Sequence, residues 1–281
     1  MTAGREPDME RLDGKVAFVT GAARGQGRSH ALRLAELGAD IIAVDICKQI
    51  ETVPYALASS QDLAETVSAV EALDRRIIAT ESDVRDAGAL QAVVREGVAQ
   101  LGSVDIVLAN AGIAVVRPDE TDPLQTFRDL IDVNLVGVWN TVQAAAPAMI
   151  EQGRGGAIVL TSSTQGLTGR GGNGTAAMDG YCASKHGVVG LMRTWAHWLA
   201  PHHIRVNSVH PTGVDTDMIN NEAVRSYLAE NAHVADALAN LMPVPVVEAR
   251  DISNAIAWLV SDAARYVTGV TLPVDAGFVV R

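Results

Sequence analysis

Tyr181 and Lys185 stand four residues apart in the run Tyr181-Cys182-Ala183-Ser184-Lys185. At helical spacing the two share a face and their side chains converge. A free phenol ionises near pH 10, too high for a base at neutral pH, but a neighbouring ammonium favours the phenolate. Such a phenolate takes a proton from an alcohol while hydride leaves the same carbon. A Tyr/Lys pair at this spacing is common by chance, so its surroundings decide its weight. Ser162-Ser163 offer hydroxyls that can hold a substrate oxygen beside the phenol, and the amide of Asn134 can hold water linking the lysine to solvent. Each has a structural alternative: a helix cap for the serines, helix-to-strand bonding for Asn134. Their joint occurrence in this order weakens those alternatives.

A second constellation lies near the N-terminus, in Thr20-Gly21-Ala22-Ala23-Arg24-Gly25-Gln26-Gly27. Gly21, Gly25 and Gly27 permit a tight turn and a close approach of backbone to a pyrophosphate. A helix starting at Gln26 would turn free N–H groups and its positive dipole end toward that anion. Arg24 is a further candidate for a phosphate. Asp45, followed by Ile46, ends a predicted strand 18 residues after Gly27. A carboxylate there binds both ribose hydroxyls and repels a 2′-phosphate, which favours NAD over NADP. Asp83-Val84 and Asn110-Ala111-Gly112 follow two further strands. Asp83 is suited to accept from an adenine amine, and Asn110 either contacts the cofactor or ties adjacent strands together.

Positioning these groups requires strands and helices in alternation. Strands are predicted at 16–20, 41–44, 77–82, 105–109, 157–161, 205–210 and 270–274, several as continuous apolar runs suited to buried parallel strands. Helices are predicted near 26–37, 61–73, 87–100, 124–151, 180–200 and 251–261, with Asp122-Pro123 as a start and Gly38 as a stop. The pattern reads as one α/β doubly wound, Rossmann-type domain over residues 12–281, with about seven parallel strands flanked by helices, preceded by a tail, residues 1–11. Two irregular segments interrupt it. Residues 46–60 form an insertion near the cofactor or a tolerated long loop, and residues 164–180 contain six glycines. Residues 213–247 carry Met218, Ile219, Leu228, Leu238, Leu241, Met242 and Val244. They form a substrate lid over a small apolar molecule or pack a helical hairpin.

Composition narrows the partners. The 281 residues are 48% apolar, too many for a disordered chain, and carry a net charge of −11, which disfavours nucleic acid. No apolar run is long enough for a membrane span, and the start of the chain has no apolar signal core. The two cysteines, Cys47 and Cys182, suit a reducing cytoplasm. The seven histidines form no closed ligand set with carboxylates or thiols, so no metal is expected; His210 reads as a packed strand end. Trp195, Trp198 and Trp258 read as core or subunit contacts.

Over about residues 12–280 the chain resembles the short-chain dehydrogenase/reductase family. The motifs are TGAARGQG, Asp45, DV at 83–84, NAG at 110–112, Asn134, the serine after strand five, YCASK, HPTGVDT and the closing TGVTLPVDAG. The resemblance implies a catalytic tetrad of Asn134, Ser163, Tyr181 and Lys185. It selects Ser163 over Ser162 because the family's serine stands three before a glycine, here Gly166. It implies that Pro211, Val214 and Thr216 hold the nicotinamide amide, and that the chain assembles as a homotetramer. The insertion after Asp45 is similar to a carveol dehydrogenase-like, mycofactocin-linked subgroup whose members hold NAD without exchange and deliver electrons to an external carrier. The expectation is therefore an NAD-dependent alcohol dehydrogenase for a small apolar alcohol/ketone pair. An exchanging NAD(H) ketone or steroid reductase and a non-catalytic nucleotide-binding regulator are the alternatives.

Overall fold

A computed structural model describes residues 10–116 and 122–281; all but the last two residues of the expected tail lie outside the described residues. The apolar runs form β1 (Val16–Thr20), β2 (Asp40–Asp45), β3 (Ile77–Glu81), β4 (Ile106–Ala109), β5 (Gly156–Thr161), β6 (Ile204–Pro211) and β7 (Thr271–Val274). Between them lie α1 (Gly25–Glu36), α2 (Ser60–Glu71), α3 (Ala87–Leu101), α4 (Pro123–Ile131), α5 (Gly137–Gln152), α6 (Ala176–Leu199), α7 (Glu222–Glu230), α8 (Ala232–Ala237) and α9 (Ala249–Val260). All strand pairs are parallel, in the order β3-β2-β1-β4-β5-β6-β7. The order reverses between β1 and β4, which opens a crevice at the carboxyl edge of the sheet.

Side chains alternate across the sheet because the strand period is two. Phe18, Ile42, Val107 and Ile158 pack under α3, α5 and α6, while Val19, Ile41, Leu108 and Val159 pack under α1 and α9. Both faces are dry, so the strands read as unbroken apolar runs. The expected helix boundaries at Asp122 and Gly38 have physical form. Asp122 Oδ1 accepts the Gln125 N–H at 3.0 Å, and Gly38 takes φ +108 just past the end of α1.

Two helix expectations change. The helix expected over 124–151 is broken by a π turn, Asp132–Val136, where Asn134 bonds to backbone in a distant loop. The helix expected from 180 starts at Ala176, because Thr175 Oγ1 caps it by accepting the Met178 N–H. Tyr181 therefore stands inside α6 rather than at its start. The segment 213–247 holds two short helices, α7 and α8, packed against each other. Of the tryptophans, Trp195 is in the core, while Trp139 on α5, Trp198 on α6 and Trp258 on α9 are 45, 40 and 37% exposed. No helix among the described residues is long and apolar enough to cross a membrane.

Asp105 lies just before β4 rather than in it, and staples the lower edge of the sheet. Its buried carboxylate accepts the Val16 N–H at 2.9 Å, the Ser103 hydroxyl at 2.7 Å and the Arg154 guanidinium at 3.0 Å. Asp105→Ala leaves a buried N–H without a partner, and the expected loss is about 2 kcal/mol in urea unfolding.

Candidate active site

The two constellations meet at the carboxyl edge of the sheet. Gly21 leaves β1 with φ +69, and a Cβ on Gly27 would fall 1.9 Å from the Gly21 carbonyl oxygen. Only hydrogen at that position lets α1 start against the turn. No side chain caps α1, and Gly25, Gln26 and Gly27 of its first turn line a cavity of about 450 Å³. The buried Oε1 of Gln26 has no protein partner. Asp45 closes one end. Burial pushes its carboxyl up, opposed by N–H donors from Ala23 at 3.0 Å and Cys47 at 3.3 Å, so it also pins the glycine loop.

Ile46, Asp83, Val84, Asn110, Ala111, Gly112 and Thr216 line the same cavity. The carboxylate of Asp83 is bracketed by Arg85, at 2.6 Å from Nη2. Asn110 joins strands, its Nδ2 donating to the Thr20 carbonyl at 3.0 Å, while Thr20 Oγ1 accepts the N–H groups of Asn110 and Ala111. Pro211 and Val214 do not line the cavity. Pro211 ends β6, and buried Val214 pairs with Val247. Arg24 also lines the cavity, and its Nη1 meets Asp217 Oδ2 at 2.8 Å while Nη2 donates to the Ala56 carbonyl at 2.5 Å.

The proton-handling groups stand next to the inner end of that cavity. A Cβ on Gly112 would lie 3.2 Å from Asn134 Oδ1 and 3.5 Å from Lys185 Nζ. The two serines separate cleanly. Ser162 Oγ donates to the Lys185 carbonyl at 2.9 Å, whereas Ser163 Oγ accepts the Gln165 N–H at 3.1 Å and stands beside the Tyr181 phenol. Burial pushes that phenol up, and the Ser163 hydroxyl pulls it back down. Lys185 Nζ lies 5.7 Å from the centre of the Tyr181 ring and donates to the Thr161 carbonyl at 2.9 Å. Burial lowers its pKa to about 8. The amide of Asn134 makes the backbone bonds that the sequence offered as its structural role. Both its ends bond to Ile113, at 2.8 and 2.9 Å, which fixes the loop after β4. His210 is a packed strand end with one added consequence. Burial lowers it to about 4, and its ring bonds to the Ser163 carbonyl and the Ser208 hydroxyl, both at 2.8 Å, steadying Ser163 from behind.

Several cavity residues carried no sequence signal beyond their neighbourhood. Tyr55, Leu57 and Ala58 come from the insertion, and Asp217 and Asn220 from the start of the 213–247 segment, beside Met218, which the sequence did single out. Tyr55 is the informative one, because its hydroxyl receives the Ala114 N–H at 3.4 Å. A tyrosine in an otherwise irregular polar stretch was the available clue.

A nucleotide crevice at the strand-order reversal, with a Ser/Tyr/Lys group beside it, defines a dehydrogenase. The sequence model for short chain dehydrogenase matches residues 15–225, and the chain belongs to that family. It is 49% identical to a (−)-trans-carveol dehydrogenase of Rhodococcus erythropolis over 278 residues, covering 96% of this chain and 99% of that protein. The crystal structure of carveol dehydrogenase from Mycobacterium avium in complex with NAD superposes with a TM-score of 0.88 at 49% identity, covering 96% of this chain and 99% of that one. A short chain dehydrogenase from Mycobacterium paratuberculosis bound to NAD gives a TM-score of 0.89 at 48% identity, covering 96% and 100%.

Holding Lys185 in this dry position costs stability. Below about pH 8 the folded ammonium is charged but desolvated, and from there to the unfolded value near 10.5 the unfolded chain binds the extra proton, so stability rises with pH. Lys185→Met removes that cost along with one hydrogen bond. The expected gain is about 2 kcal/mol at pH 7, shrinking toward pH 10, in urea unfolding at the two pH values.

Proposed function

We propose that this protein is an NAD-dependent alcohol dehydrogenase that interconverts a small apolar secondary alcohol, carveol-like, and its ketone. The observation that carries the reading is the grouping of Ser163, Tyr181 and buried Lys185 next to a glycine-lined cavity that also holds Asp45. The residues present fit a dinucleotide. The uncapped first turn of α1 offers N–H groups to a pyrophosphate, and Gln26 contributes an unpartnered buried acceptor. Asp45 suits a ribose diol and opposes a 2′-phosphate, while Arg24 is already engaged by Asp217 and Ala56. NAD, when bound, supplies the hydride-accepting carbon.

The protein's own part is positioning and proton movement. Ser163 Oγ holds the alcohol oxygen, and Tyr181 Oη takes the hydroxyl proton during oxidation and returns it during reduction. The Lys185 ammonium favours the phenolate, and the Thr161 carbonyl holds that ammonium in place. Asn134 acts through the backbone of Ile113, setting the loop between cofactor and substrate. In this reading residues 213–247 form the substrate lid and residues 46–60 cover the adenosine. The covered pocket supports a tightly held NAD and an external, mycofactocin-like electron carrier. The exposed Trp139 and Trp198, on α5 and α6, suit a homotetramer, and the reading places the enzyme in the cytoplasm.

Protein as purified, without added nucleotide, is given carveol while reduced nicotinamide is followed by absorbance. A burst equal to the number of sites that then stalls despite excess free NAD is expected. Steady turnover that requires added NAD would sink the trapped-cofactor part and leave an ordinary exchanging reductase. Tyr181→Phe is expected to lower the burst rate by at least about 10²-fold. Unchanged turnover in that variant would leave a nucleotide-binding regulator as the reading.

A further inference from the structure

We infer that Arg24 is a clasp that joins two flaps over the nucleotide cavity, and that it sets the rate at which the dinucleotide leaves. The inference rests on the proposed nucleotide reading and names the residue that governs retention. Arg24 is the extended residue before α1, with φ −157, so its side chain leaves the glycine loop at the cavity rim. Its two amino groups reach different segments. One meets Asp217, at the start of the 213–247 segment, and the other the carbonyl of Ala56, in the insertion.

Each flap is tied together internally. Within the insertion the side chain of Gln49 is a hub: its Nε2 donates to the carbonyls of Ile50, Val53 and Tyr55, and its Oε1 accepts the Leu57 N–H. The far side of that loop is anchored by Thr52 Oγ1, which donates to buried Asp129 at 2.7 Å, and by the Tyr55 hydroxyl at Ala114. The opposite flap rests on the glycine loop itself, since a Cβ on Gly25 would come within 3.2 Å of Thr216 Cγ2. Asn221 Nδ2 donates to the carbonyls of Asp217 and Met218, which stiffens the turn that presents Asp217. Tyr55 and Leu57 face the cavity from one side, Asp217 and Met218 from the other. Arg24 bridges these two flaps from the cavity rim.

The clasp is also openable. The Asp217 side chain is 66% exposed and that of Arg24 22%, so the ion pair is wetted and screened by salt. A residue placed this way changes how long a ligand stays more than how the chemistry proceeds, and is a positioning residue.

The test follows the fluorescence of bound NADH after mixing with excess NAD, for full-length wild type, Arg24→Ala, Asp217→Ala and the double variant, with thermal unfolding as the control for folding. Each single variant is expected to release NADH at least about tenfold faster, and the double variant no faster than Arg24→Ala, because that substitution already removes the contact to Asp217 along with the one to Ala56. The wild-type release rate is expected to rise with ionic strength more steeply than that of Asp217→Ala. Faster release from Arg24→Ala alone, with Asp217→Ala unchanged or slower, would overturn the clasp and make Arg24 a direct phosphate ligand. Equal release from all four would overturn it as well. Wild type that holds no nucleotide as purified and also takes up no added NADH would overturn the nucleotide reading, and the clasp with it.

Discussion

The close approach of Gly27 to the carbonyl of Gly21 is the constraint on which the rest of the site depends. With hydrogen as the side chain, α1 begins hard against the turn after β1, and its uncapped N–H groups open into the crevice where strand order reverses. The surrounding contacts hold that geometry. Asp45 ties the loop from β2, and Thr20 with Asn110 stitches β1 to β4 just beneath it. The carboxylate suited to a ribose and the amide expected at the cofactor are therefore also the struts of the cradle. One side chain serves both purposes because backbone N–H groups and ligand hydroxyls ask the same thing of an acceptor.

The chemical end is organised by burial. Lys185 is nearly inaccessible and keeps one carbonyl partner, Thr161, so its position is set while its proton is loosened. Tyr181 is pulled between desolvation and the Ser163 hydroxyl. Ser163 in turn is steadied by a neutral His210 behind it. A charge that is costly to bury is retained beside a buried phenol, which is the trade between stability and function expected of a reactive site.

The two irregular segments belong to the same physical problem. A crevice at the end of an open sheet has one exposed side, and the insertion and the segment after β6 approach it from opposite flanks. Polar side chains, Gln49 and Asn221, hold each flank by bonding their own backbones, Gln49 within an irregular loop and Asn221 in the turn that leads into α7. The exposed residues Leu241, Met242 and Val244 lie beyond that cover.

The strands, most helices, the glycine turn and the order of Asn134, Ser163, Tyr181 and Lys185 were legible in the chain alone. These features are periodic or local: a buried parallel strand must be apolar on both faces, and a residue four along a helix must share a face. Tertiary structure decided the rest. It chose which of two adjacent serines meets the phenol, since Ser162 is captured by the Lys185 carbonyl. It broke the long helix at Asn134, whose amide found Ile113 in another loop. It left Pro211 and Val214 outside the cavity and drew Arg24 onto Asp217 and Ala56. Each of these outcomes depends on which atoms arrive from distant parts of the chain to accept or donate one hydrogen bond, and spacing along a sequence carries no record of that arrival.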